Sequence, residues 1–334
     1  MKHFCVAPWF HQSITIRPFR QPDEFCCWAR DHAGKDVSRK TTQDKMLNDE
    51  RPSECQKCWD AEDSGVKSRR QQENTLLDHL LDLDIKNIEN RVHNGQDEIL
   101  VHQVRLNNIC NGTCVMCNSD ASSAWGKLEK RAGLIPTKTF DHSPDFVDSI
   151  INYNTVRAIE LLGGEPLLSD TAFHIFTQLI EHNNTDCFIS IVTNGSISIT
   201  DKYKEILSQF SRLSITVSID AIGKPFEYLR FPLKWDLVSS NINEYKEICN
   251  DVNISCTVTN MSAGYLDSTI AWFNENNLNY FLHNVIKPEY MAPDVQPGHK
   301  LWPTFAEGIK KQDALKGISM KDYLPDMWEQ VQNS

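Results

Sequence analysis

From about residue 99 onward, short apolar runs alternate with amphipathic stretches, and no other feature so narrows what this chain can fold into. Strand-like runs stand at 99–106, 156–162, 187–192, 213–219, 252–258 and 280–286, with helix-like stretches between them, among them 170–182, 201–210, 236–249 and 264–276. Six strands separated by helices imply parallel βα units, because a parallel neighbour is reached only by a crossover. Right-handed units of this kind curve into a full or partial barrel, so the expected fold is α/β, a partial (β/α)6 TIM-like barrel. In such folds chemistry gathers where strands end and loops begin.

The polar motifs fall at those positions. The run Asn-Ile-Cys-Asn-Gly-Thr-Cys-Val-Met-Cys, carrying Cys110, Cys114 and Cys117, follows the first strand. Three thiolates can hold three irons of a cubane and leave the fourth iron open, as catalytic metal sites keep one position free of protein ligands. Gly163-Gly164-Glu165-Pro166 follows the second strand and Thr193-Asn194-Gly195 the third. Ser218-Ile219-Asp220 closes the fourth, and Val258-Thr259-Asn260 ends the fifth. No Gly-x-Gly-x-x-Gly phosphate loop is present, which argues against a dinucleotide-binding dehydrogenase.

The chain of 334 residues has a net charge of -11, which disfavours holding nucleic acid by bulk electrostatics. The amino terminus lacks the apolar stretch of a signal peptide, and no run reaches the roughly 18 apolar residues of a membrane span, so the expected location is the cytoplasm. There, 11 cysteines point to metal or cluster ligation rather than to disulfides. Cys187, Cys249 and Cys256 stand singly beside apolar residues and are expected in the core. Residues 1–75, rich in Cys, Pro, Trp and charge, hold one strand-like fragment, Ile14-Thr15-Ile16, and too little apolar mass for a core without a staple. Within them Cys5, Cys26, Cys55 and Cys58 supply enough thiolates for one closed four-cysteine site, with Cys27 left unassigned. Residues 76–98 are expected to form a helical connector ending in a turn at Asn94-Gly95.

The cysteine loop, the Gly-Gly-Glu-Pro after the next strand, and their order along the βα pattern resemble the radical S-adenosylmethionine superfamily over residues 99–290. The resemblance implies a 4Fe-4S cluster on Cys110, Cys114 and Cys117 whose open iron chelates S-adenosylmethionine. Electron transfer from the cluster would then yield a 5′-deoxyadenosyl radical that abstracts hydrogen from a substrate. Gly163, Gly164, Glu165, Pro166, Asn194, Ser218, Asp220 and Arg230 become candidate cofactor residues, with Arg230 able to pair with the methionine carboxylate and Asn260 a weaker candidate. The family commonly has an aromatic residue before the third cysteine, where this chain has Met116; a thioether can also pack on a ring.

The amino-terminal cysteines, with Glu62-x-x-Gly65-x-x-Ser68-Arg69, resemble the SPASM or shorter twitch extension, which carries auxiliary four-iron clusters. Here it precedes the barrel, whereas in the family it usually follows it. Zinc is the alternative occupant, because Cys-x-x-Cys plus two distant cysteines also suits tetrahedral zinc. In relatives this extension usually accompanies peptide substrates, so a peptide or protein side chain is the expected substrate. An electron donor such as a flavodoxin or ferredoxin would be the partner. A small molecule, a sugar or a nucleotide as substrate, or a non-catalytic iron-sulfur scaffold, remain alternatives. Residues 291–334 read as a helical tail whose task the sequence leaves open.

Overall fold

The computed structural model describes residues 2–14, 25–26, 29, 37–81, 85–95, 98–249 and 251–333. Seven strands hydrogen-bond in chain order: β1 (His11–Ile14), β2 (Val101–Arg105), β3 (Ala158–Leu162), β4 (Phe188–Thr193), β5 (Leu213–Ser218), β6 (Asp251–Val258) and β7 (Asn279–Asn284). The sheet is all-parallel, an α/β arrangement of the partial TIM-like barrel kind. The six expected strands are β2 to β7, each within two residues of its expected ends.

The seventh strand corrects the count of six. β1 pairs in parallel with β2, His11 opposite Val101 and Ser13 opposite Gln103. It escaped the pattern because His-Gln-Ser-Ile has a single apolar residue, and Ser13 finds its partner within the fold. Ser13 Oγ donates to Gln103 Oε1 at 3.0 Å, and Gln103 Nε2 donates to Glu160. Of the expected fragment Ile14-Thr15-Ile16, the last two residues lie outside the described ones.

Contacts divide the chain into two compact units, Met1–Arg105 with Asp145–Leu161 and Gln178–Ile189, and Leu106–Pro144 with Leu162–Thr177 and Ser190–Ser334. In the first unit, Phe4, Trp9, Phe10, Phe25 and Met46 share one core with Ile88, Leu100, Val101 and Ala158. Each of the Phe, Met, Ile, Leu and Val side chains among them contributes about 1.5–3 kcal/mol when fully buried. The connector region holds the helices Arg69–Leu81 and Ile85–His93.

In the second unit the tail supplies the helices Trp302–Lys316 and Pro325–Gln332. Trp302, Phe305, Ile309, Met320 and Leu324 pack with Val115 of the cysteine loop and with Tyr228 and Leu229. The carboxy-terminal helices are therefore part of the core that carries the loop. Cys187 and Cys256 are fully buried, whereas Cys249 is half-buried at a helix end, its Sγ 2.9 Å from the Tyr245 carbonyl. Among the described residues, no helix is long and apolar enough to cross a membrane.

Candidate functional site

The loop carrying Cys110, Cys114 and Cys117 leaves the end of β2 and is fixed at nearly every peptide. Glu165 N–H donates to the Ile109 carbonyl at 2.8 Å, Ser122 Oγ to Gly112 at 2.6 Å, Trp125 Nε1 to Cys114 at 2.8 Å and Gln312 Nε2 to Val115 at 3.0 Å. In the other sense, Thr113 N–H donates to the Phe231 carbonyl at 2.6 Å and Val115 N–H to that of Leu229 at 2.8 Å. A loop so tied holds its side chains in place before any ligand arrives. Gly112 lies between two of the sulfurs: a Cβ there would stand 3.6 Å from Cys114 Sγ and 3.8 Å from Cys110 Sγ.

The sulfurs face donors. Cys110 Sγ accepts from Gly112 N–H at 3.3 Å and from Asn194 Nδ2 at 3.7 Å. Burial pushes the Cys114 thiol up to about 11, while the Arg230 and Lys316 cations pull it down. Burial likewise raises Cys110, so metal binding at this loop must displace protons.

Gly163 and Gly164 face the cysteine loop itself. A Cβ on Gly164 would lie 2.3 Å from the Ile109 carbonyl oxygen, and one on Gly163 would lie 3.1 Å from that of Asn107. Only a chain without side chains there can bring the end of β3 so close to the loop. Pro166 opens the short turn Pro166–Leu168 and is buried.

Glu165 is fully buried and ties three segments together. Its Oε1 accepts from Thr193 Oγ1 at 2.8 Å and Leu167 N–H at 3.2 Å, and its Oε2 accepts from Asn194 N–H at 2.7 Å. Asn194 in turn donates through Nδ2 to Asn111 Oδ1 at 2.8 Å and accepts Ser196 N–H at 2.9 Å. The carboxylate thus orders the end of β4, and Asn194 carries that order to the cysteine loop.

Burial lifts Glu165 from 4.5 to about 7, against the pull of its three hydrogen bonds. Because the folded value lies above the unfolded one, its contribution to stability is present below about pH 4.5 and is lost as the pH rises through about 7. Glu165→Gln is expected to flatten the pH dependence of urea unfolding across that window. Parallel profiles for the two proteins would refute this.

Ser218 is half-buried at the end of β5, opposite Ser255 of β6. Asp220 and Arg230 have a partner in each other. Arg230 Nη2 donates to Asp220 Oδ1 at 2.9 Å, and Nε lies 2.8 Å from Oδ2 as an ion-pair contact whose N–H is not aligned for a hydrogen bond. Asp220 Oδ1 also accepts Thr257 N–H at 2.9 Å. Burial opposes the guanidinium charge, but Asp220 and Cys114 outweigh it. Asn260 is buried and donates to the carbonyls of Tyr290 and Val295 at 3.2 and 3.1 Å, a loop-fixing role.

Beside the loop, Met116, Cys117, Asn118, Lys287, Glu289 and Tyr290 line a cavity of about 530 Å³, within the range of small-molecule sites. Met116, the departure from the aromatic pattern, is on its wall. Lys287, Tyr290, Trp125, Gln312 and Lys316 were not identified from the sequence. Lys287, Tyr290, Gln312 and Lys316 stand far from the motifs along the chain, no spacing signals that the tail returns to the loop, and Trp125, eight residues after Cys117, belongs to no motif.

In the first unit Cys5, Cys26, Cys55 and Cys58 line one cavity with Arg69, Arg70 and Glu73. Cys27 lies outside the described residues. The Glu62-x-x-Gly65-x-x-Ser68 run explains the placement of Cys58. Gly65 takes φ +79°, Ser68 Oγ donates to Glu62 Oε1 at 2.5 Å, and Ser68 and Gln71 cap each other reciprocally at the start of the helix Arg69–Leu81. The Cys58 sulfur faces the backbone N–H groups of Arg70 and Arg69 there, and Cys5 faces that of Ala7. Burial raises all three of Cys5, Cys55 and Cys58, Cys55 to about 12. Trp59 is buried between the Arg51 and Arg70 guanidinium groups, 5.3 and 5.2 Å from its ring, and donates to Pro52 at 2.9 Å. Among the described residues, no three Cys, His, Asp or Glu side chains converge closely enough to hold a single metal ion.

No protein-family model matches the chain, and no curated protein does. Among solved structures it is similar to anSMEcpe with bound AdoMet, at 19% identity and a TM-score of 0.47 over 65% of this chain and 62% of that one. It is similar to Streptococcus suis SuiB bound to S-adenosylmethionine, at 14% identity and 0.47 over 70% and 52%. It is also similar to TYW1 with a lysine-pyruvate adduct bound, at 14% identity and 0.35 over 66% and 72%. The matched region thus spans about three-fifths of anSMEcpe and about half of SuiB.

Proposed function

We propose that this chain is a radical S-adenosylmethionine enzyme acting on a peptide or protein side chain. One observation carries the reading: three cysteines share a loop at the end of β2, and the Gly-Gly-Glu-Pro turn is pressed so closely on that loop that Gly164 has no room for a Cβ. Cys110, Cys114 and Cys117 would hold the cluster, and soft thiolates with N–H donors at their sulfurs fit iron-sulfur ligation. When bound, the cluster and S-adenosylmethionine would supply a 5′-deoxyadenosyl radical for hydrogen abstraction. The chain's own part is positioning: Asn194 holds Cys110, Glu165 holds Asn194, and the Asp220–Arg230 pair fixes the ends of β5 and β6. The cavity walled by Met116, Cys117 and Tyr290 would be the space offered to the cofactor.

For the amino-terminal site we propose an auxiliary 4Fe-4S cluster on Cys5, Cys26, Cys55 and Cys58. The four cysteines line one cavity, and their resemblance to the auxiliary-cluster extension supports iron-sulfur over zinc. The peptide substrate follows from the extension that these cysteines resemble, and a flavodoxin or ferredoxin would supply electrons.

Anaerobic reconstitution followed by incubation with S-adenosylmethionine and a strong reductant tests the reading. The full chain is expected to release 5′-deoxyadenosine and Cys114→Ala to release none. Equal amounts from both would remove it. Iron counting is expected to give about eight irons per chain and about four in Cys58→Ala. About four irons with one zinc in the unmodified chain would assign zinc to the second site.

A further inference from the structure

The helix Trp302–Lys316 places one cation against the cysteine loop, and nothing in the reading so far uses it. Lys316 is half-buried, with its Nζ 4.8 Å from the centre of the Trp125 ring and donating to Gln312 Oε1 at 3.1 Å. Both partners are themselves fastened to the loop, Trp125 Nε1 to the Cys114 carbonyl and Gln312 Nε2 to that of Val115. The ammonium is therefore held over the segment between the second and third cysteines, near enough for its charge to act on Cys114 and Cys117. The opposing charge is Asp313, three residues earlier on the same helix, which offsets part of the ammonium's field but forms no ion pair with it. Arg230 is already paired with Asp220, and the Asp313 carboxylate accepts from Tyr228 Oη at 2.5 Å and from Met320 N–H at 2.7 Å.

We propose that Lys316 is a positioning residue of the electrostatic kind, which raises the reduction potential of the cluster held by Cys110, Cys114 and Cys117; this rests on the iron-sulfur reading above. A cluster gains one negative charge on reduction, so a fixed cation nearby favours the reduced state, and net charge and burial are among the determinants of such potentials. A cation within several ångströms, in a setting of effective dielectric about 20, is enough to change the reduction equilibrium by about tenfold. The task fits the chemistry, because the cluster must first accept an electron from its donor. Trp125 and Gln312 hold the ammonium where a flexible side chain in water would lose the effect.

The test is an anaerobic redox titration of the reconstituted full chain, read by electron paramagnetic resonance on the signal component that Cys114→Ala removes. Lys316→Met and Lys316→Gln are expected to lower the midpoint by about 59 mV, the equivalent of a tenfold change for one electron. Lys316→Arg, which keeps the charge, is expected to stay near the unmodified value. An unchanged midpoint in Lys316→Gln would overturn the inference. So would loss of the signal in Lys316→Arg as well as in Lys316→Met, since that would assign the residue to packing. If the unmodified chain has no Cys114-dependent signal, the iron-sulfur reading itself falls, and this inference with it.

Discussion

Gly164→Ala is expected to destabilise the second unit by at least about 3 kcal/mol and to remove most of the iron bound at the cysteine loop. The new Cβ would stand 2.3 Å from the Ile109 carbonyl oxygen, 2.6 Å from its carbon and 2.8 Å from the Asn108 carbonyl carbon. All three are backbone atoms, so no side chain can turn away to make room. The backbone on either side is also fixed, because Gly164 N–H donates to the Asn107 carbonyl at 2.9 Å and Glu165 N–H to that of Ile109 at 2.8 Å. Relief requires moving the loop, and the loop carries the cysteines. Overpacking typically costs about 1–3 kcal/mol where neighbours can adjust, and here they cannot. Gly163→Ala is the graded control, since its closest contacts are 3.1 Å and one is to the Asn107 side chain. Its expected cost is about 1 kcal/mol, with iron retained. Urea unfolding and iron content measure both. A Gly164→Ala protein with normal stability and full iron would show that the two loops are not pressed together.

The sheet was largely legible because β2 to β7 carry apolar runs, buried in most of them and exposed in β7, and such runs announce themselves without reference to distant residues. β1 was not, since His11, Gln12 and Ser13 are polar and become strand residues only through pairing with β2. The same distinction runs through the site. The spacing of Cys110, Cys114 and Cys117 is a local fact, and so is the Gly-Gly-Glu-Pro turn. What each residue touches is not. Glycines in that turn suggest a close approach, but the sequence does not say that the approaching chain is Asn107–Ile109. Arg230 and Asp220 stand ten residues apart and were each given a cofactor to contact, with no signal that they meet. Lys316 is the extreme case. Its position depends on how its helix packs through Trp302, Phe305 and Ile309, and one lysine in a helix carries no mark of the loop it will reach.

Arg230→Met is expected to cost about 3–5 kcal/mol, because it leaves the Asp220 carboxylate in a site with no solvent exposure. Thr257 N–H would be its remaining donor among the contacts described here, and one peptide hydrogen bond does not replace a guanidinium. The pair joins three segments: Asp220 follows β5, Thr257 belongs to β6, and Arg230 ends the helix Gly223–Leu229, whose last residue binds Val115. Loss of the charge should therefore loosen the cysteine loop as well as the sheet. Asp220→Asn separates the two contributions, since its amide oxygen can still accept Thr257 N–H while the anion is gone. The double variant Asp220→Asn/Arg230→Met buries no unpaired charge and is expected to be more stable than Arg230→Met alone, a coupling that neighbouring residues show and distant ones do not. Urea unfolding of the four proteins reads the cycle. If the single losses simply add, Asp220 and Arg230 do not act as a pair, and Arg230 is then available for a ligand carboxylate. A tighter hold on S-adenosylmethionine by the unmodified chain than by Arg230→Met, at matched stability, would be the sign of that second role.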